Sequence, residues 1–278
     1  MDFHINSSVK SPDDTTLFTT SGMQQFKLLY SDLEYTNIFT NIQQCLRIND
    51  LDEIGDGTHF LKFEMMGLFS FRQWTLKQAI DFMYSFVNKL GIVPDYVTIH
   101  PDKYEDWKDL YSEYGVEIRL DSECVWSDGS IGGYCTEFYK SDVEIGNIVN
   151  TMDTCIDVGF GLERLLEVTG SLTPKNKLQI LEETALLLID DGVVLGHNKK
   201  EYILKKLITE SIFHGSQLSN EFFDRIRFNQ EKAYSTYMRK RNHKRFKDKD
   251  SVFWMDTYGF NISRMDEYVK IFGKQEDS

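Results

Sequence analysis

The sequence predicts an α+β protein in which a largely antiparallel sheet, flanked by helices, is followed by a small all-α domain. Short runs such as HFLKFEMM, DYVTIH and GNIVNTM alternate apolar with polar residues, which is typical of half-buried antiparallel strands. A helical segment interrupts these runs, and apolar residues recur with helical spacing after Gly161. The change of pattern predicts two domains, residues 1–170 and residues 171–278.

The first helix is predicted in TLKQAIDFMYSFVNKLG, starting at Thr75. Thr75 and Gln78 have the spacing of a capping box, and Gly91 stands beyond the end of the pattern. The helix is therefore expected to pack on the sheet through one apolar face made of Ile80, Met83, Phe86, Val87 and Leu90.

Later helices are predicted from GLERLLEV and from two apolar stripes in 178–189 and 203–212. Thr173 and Pro174 fit an N-cap followed by a proline at the first helical position. We therefore expect a helix to begin at Pro174.

The charge is distributed unevenly along the chain. Residues 225–249 contain ten Lys or Arg and two acidic residues, a local charge of +8, so the other 253 residues sum to −21 within the net −13. A basic element on an acidic body favours RNA contact, although a solvated helix face would have the same composition. The candidate RNA-binding residues are Arg239, Lys240, Arg241, Lys244 and Arg245.

Several classes of protein are disfavoured. The sequence has neither a run of eighteen apolar residues nor a signal-peptide pattern, so we expect a cytoplasmic protein without a membrane partner. Four cysteines without CxxC spacing and six histidines without an HxxxH pair predict reduced thiols and signal no zinc site. GxxxxGK[ST] is absent and GFGLER differs from GxGxxG, which disfavours P-loop and Rossmann enzymes.

Two isolated arginines are candidates for phosphate binding. Arg47 follows an apolar strand, and Arg164 lies in the first turn of a predicted helix. A guanidinium matches two phosphate oxygens and keeps its charge at all physiological pH values. The alternative for each arginine taken alone is a surface salt bridge.

Six blocks of sequence, in order along the chain, resemble the catalytic domain of alanyl-tRNA synthetases, which are class II enzymes. The resemblance covers residues 10–170 well. It continues more weakly through DGVV and EYILKKLITESIFHG, which are similar to the helical tRNA-recognition domain of that family. The six blocks are TLFTTSGMQQFK, QQCLR, FEMMGLFSF, CTEFY, EIGNIV and IDVGFGLER.

The resemblance implies ATP, Mg²⁺ and a small amino acid, alanine above others, with tRNA rather than DNA as the nucleic-acid partner. Arg47 matches the residue that holds the α-phosphate, Phe63 the ring that stacks on adenine, and Arg164 the residue that holds the γ-phosphate. In the amino-acid pocket, Asp157 matches the residue that binds the α-ammonium group and Asn147 lies beside it. The implied pocket walls are Trp126, Val149 and Gly159.

The chain also departs from the family pattern. The loop INDLDEIGDG after Arg47 lacks the usual glycine-glycine-lysine-histidine stretch. EIGNIV has a glycine, Gly146, where the family usually has tryptophan, which we expect to remodel the pocket floor. The metal motif of the family's editing domain is absent, so we expect a truncated homologue without editing.

Three functions remain open at this point. The first is activation of alanine and its transfer to tRNA. The second is the same adenylation with transfer to a carrier protein, a peptide or a small molecule. The third is a non-catalytic binding module, which the presence of Arg47, Asp157 and Arg164 together disfavours.

Overall fold

The computed structural model describes residues 2–12, 16–48, 61–127 and 131–273. The chain divides into two compact units, Met1–Pro174 and Lys175–Ser278. Within the described residues, no helix is long and apolar enough to cross a membrane.

The first unit is built on one sheet, ordered β1-β2-β3-β9-β8-β7-β4-β5, with β6 paired to β7. The β1–β2 and β4–β5 pairs are parallel and the others antiparallel, which confirms the predicted α+β class. The strands are β1 Asp2–Asn6, β2 Asn37–Leu46, β3 Lys62–Phe71, β4 Tyr96–Ile99, β5 Glu117–Leu120, β6 Val125–Ser127, β7 Gly132–Lys140, β8 Val143–Thr151 and β9 Cys155–Gly161.

The described helices flank the sheet in the first unit and make up the second unit. In the first unit they are α1 Lys27–Ser31, α2 Leu76–Lys89, α3 Tyr104–Trp107 and α4 Leu162–Val168. In the second unit they are α5 Lys177–Asp190, α6 Lys199–Phe213, α7 Glu221–Lys240, α8 Ser251–Tyr258 and α9 Met265–Phe272.

Helix α2 begins and ends where the sequence predicts. The Thr75 hydroxyl accepts from the backbone N–H of Gln78, and the Gln78 side chain accepts from the backbone N–H of Thr75, which forms the capping box. Gly91 follows the helix with φ +75°, a conformation that favours glycine. Of the predicted apolar face, Leu90 is exposed because it lies at the C-cap.

One face of the sheet packs under α2 to form the main core. Buried residues of α2 contact the even-numbered positions of β9, and the Phe86 ring lies 4.5 Å from the Phe160 ring, centroid to centroid. At roughly 25 cal/mol per Å² of apolar surface, this burial is the main stabilising contribution in the unit. The α2 and β9 members of the core are Ala79, Ile80, Met83, Tyr84, Val87, Ile156, Val158 and Phe160.

The prediction of a helix beginning at Pro174 is wrong. Helix α5 begins at Lys177, with Asn176 as its N-cap and Gln179 completing a capping box. An asparagine with a glutamine three residues later satisfies two backbone N–H groups, whereas a threonine followed by proline satisfies fewer. The stronger local cap therefore sets the boundary.

The expectation that Gly146 remodels a pocket floor is also wrong. A Cβ at Gly146 would lie 2.9 Å from Phe160 Cδ1 and 3.2 Å from Met83 Cε, on the α2 side of the sheet. The strand pairing explains this placement, since Glu144 pairs with Tyr139 and Gly146 with Phe138, which leaves Ile145 as the extra residue of a β-bulge. Gly146 therefore permits close packing in the core.

We expect Gly146→Ala to lower the free energy of unfolding by about 1–3 kcal/mol, because overpacking a closed core forces neighbours apart. The new methyl group would lie 2.7 Å from the backbone oxygen of Gly159, which a central strand cannot move easily. Urea unfolding of the two proteins measures the difference. Gly161→Ala is the matched control, since its Cβ would meet nothing closer than 3.5 Å; equal stability of all three proteins would contradict the prediction.

Candidate active site

The candidate pocket residues on β8 and β9 lie on the sheet face opposite α2. On β9, Ile156, Val158 and Phe160 point into the core under α2, so Asp157 and Gly159 point the other way because side chains alternate along a strand. This second face is the candidate active site.

The strand register brings the candidate amino-acid pocket together. Val149 of β8 is the direct cross-strand partner of Asp157, and Asn147 is the partner of Gly159. Trp126 of β6 packs against Val149. A Cβ at Gly159 would lie 3.0 Å from Asn147 Oδ1, so the glycine leaves room for the amide to lie across the strand. The five residues therefore line one region of the face.

Asp157 is the most perturbed carboxyl group of this region. Burial in an apolar environment raises its pKa to about 7, because desolvation disfavours the charged form. Tyr30 lies close by. Burial raises the pKa of Tyr30 well above its usual value, and the Asp157 charge raises it further. A cationic group bound here would favour the ionised form of Asp157.

Arg47 and Phe63 form a second pair at the end of β2 and the start of β3. The Arg47 guanidinium carbon lies 4.8 Å from the centroid of the Phe63 ring. The backbone N–H of Arg47 donates to Leu61 O at 2.9 Å, and its Nη2 donates to Thr20 O at 3.3 Å. Arg47 is exposed and Phe63 half-buried. The pair thus presents a cation and an aromatic ring side by side.

Arg164 of α4 is held by Glu144, a residue that the sequence analysis did not identify. Arg164 Nη1 forms an ion pair with the Glu144 carboxylate and donates to Glu144 O at 3.4 Å. The Arg164 side chain is 40% exposed, so the ion pair itself adds little stability. Both contacts use Nη1, and Glu144 therefore fixes one edge of the guanidinium.

The residues that sequence reasoning missed depend on tertiary contacts. Glu144 precedes a β-bulge that no periodicity reveals. Among the described residues, Asn41 Oδ1 and Tyr30 Oη are buried without a hydrogen-bond partner. Neither residue has a distinguishing signal in the sequence, because β2 contains other amides besides Asn41 and Tyr30 lies in no motif.

The basic segment 225–249 spans all but the first four residues of α7 and the turns that follow it. Arg239, Arg241, Lys244 and Arg245 are exposed. Lys240 differs, because its Nζ donates to the Tyr258 hydroxyl at 2.9 Å and lies 4.5 Å from the centroid of that ring. Four of the five candidate RNA-binding residues thus present their charge to solvent.

The loop INDLDEIGDG, which departs from the family pattern, lies outside the described residues after Ile48.

We expect the free energy of unfolding to fall as the pH rises from about 4 to about 7, because of the raised pKa of the Asp157 carboxyl group. The slope is up to about 1.4 kcal/mol per pH unit. The unfolded chain releases this proton near pH 3.9, whereas the folded protein keeps it to about pH 7. The unfolded state therefore binds fewer protons in that window.

Urea unfolding at several pH values tests this, and Asp157→Asn is expected to remove the slope because the amide does not ionise. Asp109→Asn, at an exposed carboxylate, is the matched control and should keep the wild-type slope. An unchanged slope in Asp157→Asn would show that the carboxyl group is already ionised at low pH.

The sequence comparisons agree with this architecture. A family model for class II tRNA synthetases (A) matches residues 3–130. An alanine–tRNA ligase of Francisella tularensis subsp. tularensis is 27% identical over 289 aligned positions, which cover 77% of this chain and 33% of the relative. The alanine–tRNA ligases of Francisella tularensis subsp. novicida and Francisella philomiragia are 28% and 27% identical over the same shares.

The chain thus spans about a third of the length of the curated relatives it matches. The matched residues 3–130 contain most of β1, strands β2 to β6 and helix α2, which covers the core face of the sheet. Residues 3–130 are therefore similar to the class II tRNA synthetases (A), and the chain is similar over 77% of its length to the alanine–tRNA ligases.

Proposed function

We propose that this protein activates a small amino acid, alanine above others, by joining its carboxylate to the α-phosphate of ATP, and transfers it to tRNA. The observation that carries the proposal is the arrangement on one sheet face. Asp157 and Asn147 lie across from Val149 and Gly159 on the two central strands, and the Arg47–Phe63 pair stands at the end of the neighbouring strands.

Arg47 and Phe63 are suited to the nucleotide. An adenine can stack on the Phe63 ring, and the adjacent guanidinium can contact phosphate oxygens in a bidentate manner. In-line attack of a carboxylate on the α-phosphate needs positioning and charge stabilisation rather than a covalent nucleophile. Arg47 supplies that charge at the α-phosphate in this proposal, and Arg164 binds the γ-phosphate.

Asp157 is suited to the α-ammonium group of the amino acid. Its environment is apolar enough to raise its pKa to about 7, so an ammonium ion is a strongly favoured partner for the ionised form. Val149 and Trp126 pack together beside it and restrict the side chain that fits. Glycine and serine should be poorly rejected, since one methylene or hydroxyl gives about 1–3 kcal/mol of discrimination.

Mg²⁺ fits the same site through the phosphates of ATP. In such sites the ion is bound by one or two carboxylates together with substrate phosphates. Glu144 is the carboxylate in contact with Arg164, and we assign it to the ion when ATP is bound. When bound with ATP, Mg²⁺ would neutralise part of the charge that develops on the phosphates.

The acceptor is proposed from two facts. The relatives are named alanine–tRNA ligases, and the second unit carries an exposed basic group at Arg239, Arg241, Lys244 and Arg245. Exposed cations bind phosphate backbones with a strong dependence on salt. Both facts favour tRNA over a carrier protein or a small molecule.

We expect alanine-dependent exchange between ATP and pyrophosphate, with Arg47→Ala lowering kcat/KM for ATP by about 100- to 1,000-fold. Arg47→Lys should be nearly as damaging, because an ammonium cannot make the bidentate contact. Exchange of labelled pyrophosphate into ATP, measured with alanine, glycine or serine, isolates the activation step.

Arg119→Ala is the matched control for the exchange assay. Arg119, on the edge strand β5, pairs with Glu117 and stacks on Tyr96 of β4 at 3.6 Å, so its loss should leave exchange unchanged. No exchange with any of the three amino acids in the wild-type protein would refute the proposed activation.

We expect the triple variant Arg241→Ala, Lys244→Ala and Arg245→Ala to bind tRNA less tightly. The slope of log affinity against log salt concentration should fall by about one unit per phosphate contact removed. Filter binding at several salt concentrations measures both quantities. Lys205→Ala, at an exposed lysine of α6, should behave as wild type; salt-insensitive binding, or none, would point to a different acceptor.

A further inference from the structure

Two cysteines and a glutamate form a cluster beside the candidate amino-acid pocket. Cys124 immediately precedes β6, and Cys135 and Glu137 lie on the same face of β7 because they are two residues apart. One ligand atom from each of the three residues lies within 4.8 Å of the other two. The Cys135 N–H donates to Cys124 O at 2.9 Å, which holds the two cysteines side by side.

Neighbouring hydroxyl groups orient the glutamate within this cluster. Glu137 Oε2 accepts from the Tyr139 hydroxyl at 2.8 Å and from the Thr98 hydroxyl at 3.4 Å. The other oxygen, Oε1, lies 3.9 Å from Cys135 Sγ. Hydrogen bonds that fix one carboxylate oxygen while the other faces the ligands are a regular feature of metal sites.

We propose that Cys124, Cys135 and Glu137 bind a zinc ion. Two thiolates and one carboxylate are ligands that Zn²⁺ prefers, whereas Mg²⁺ prefers oxygen ligands alone. A tetrahedral zinc site with Zn–S bonds of about 2.3 Å places its sulfurs about 3.8 Å apart. The three ligand atoms, which lie within 4.8 Å of one another, can therefore reach tetrahedral positions through small side-chain rotations.

Three protein ligands leave a fourth coordination position for water or another lone-pair donor. Cys135 is the cross-strand partner of Val149, and Glu137 is the partner of Asn147. Val149 and Trp126 also pack against the two cysteines. The zinc ion thus adjoins the pocket of the proposed function, although its binding does not depend on that function.

The contact between Cys124 and Cys135 depends on strand pairing, which explains why the sequence shows no zinc motif. Cys124 and Cys135 do not form a CxxC pair, and they approach each other only because β6 and β7 are antiparallel neighbours. The third ligand, Glu137, lies two residues after Cys135 on β7. In the sequence it is only one polar position in an alternating pattern.

Metal titration of the full chain tests the proposal. After chelator treatment under reducing conditions, the protein is titrated with Zn²⁺ against a chromophoric chelator, and separately with Co²⁺. We expect one ion of Zn²⁺ per chain, no competition from excess Mg²⁺, and a Co²⁺ complex with the visible absorption of a tetrahedral site and a thiolate charge-transfer band.

Variants identify the ligands. Cys124→Ser, Cys135→Ser and Glu137→Gln should each weaken Zn²⁺ binding more than about 100-fold, because even partners outside the ligand set contribute about 10- to 100-fold. Tyr139→Phe, which removes only an orienting hydroxyl group, should weaken Zn²⁺ binding by about 10- to 100-fold. Cys45→Ala and Cys155→Ala, at buried cysteines outside the cluster, are the matched controls and should bind zinc as wild type does.

Failure of the wild-type protein to bind one equivalent of Zn²⁺ would overturn the proposal. Binding that survives in Cys124→Ser and Cys135→Ser would overturn it as well. Circular dichroism of Glu137→Gln, whose side chain has the same shape, separates loss of a ligand from loss of the fold. The readout is metal binding, so an inactive protein that binds zinc would refute the proposed activation and leave the zinc site intact.

Discussion

The antiparallel register of β3, β9, β8 and β7 is the constraint on which the rest of this structure depends. It pairs Asp157 with Val149, Gly159 with Asn147, and Cys135 with Val149. Because side chains alternate along a strand, a slip of one residue would send every one of these groups into the core under α2. The buried residues on the α2 side forbid such a slip, so hydrophobic packing on one face sets the polar geometry on the other.

The electrostatics of the candidate active site follow from that geometry. Asp157 sits in an apolar part of the face, which raises its pKa to about 7, whereas Arg47 stands at a strand end and is exposed. The carboxyl group proposed to bind an ammonium group and the guanidinium proposed to bind phosphates are thus kept apart on one surface. The Glu144 carboxylate reaches Arg164, and it does so from the position before the β-bulge.

The proposed zinc site depends on the same strand pairing as the candidate amino-acid pocket. The same pairing of β7 with β8 that aligns Glu137 with Asn147 also places the two thiols against Val149 and Trp126. The proposed metal, the proposed ammonium site and the side chains of Val149 and Trp126 therefore occupy adjacent positions on neighbouring strands. A ligand that enters this pocket would meet all three.

The sequence by itself determined the local features, because they depend on neighbours in the chain. Alternation predicted strands and the α+β class, and Thr75 with Gln78 predicted the start of α2. The blocks around Arg47 and Asp157 indicated the resemblance to class II synthetases. The predicted helix start at Pro174 was wrong, because Asn176 makes a better cap. Only the tertiary structure decided that Gly146 faces the core, that Glu144 holds Arg164 and that Cys124 meets Cys135. Strand register, a bulge and contacts between distant residues fix those features, and none of them leaves a periodic signal in the sequence.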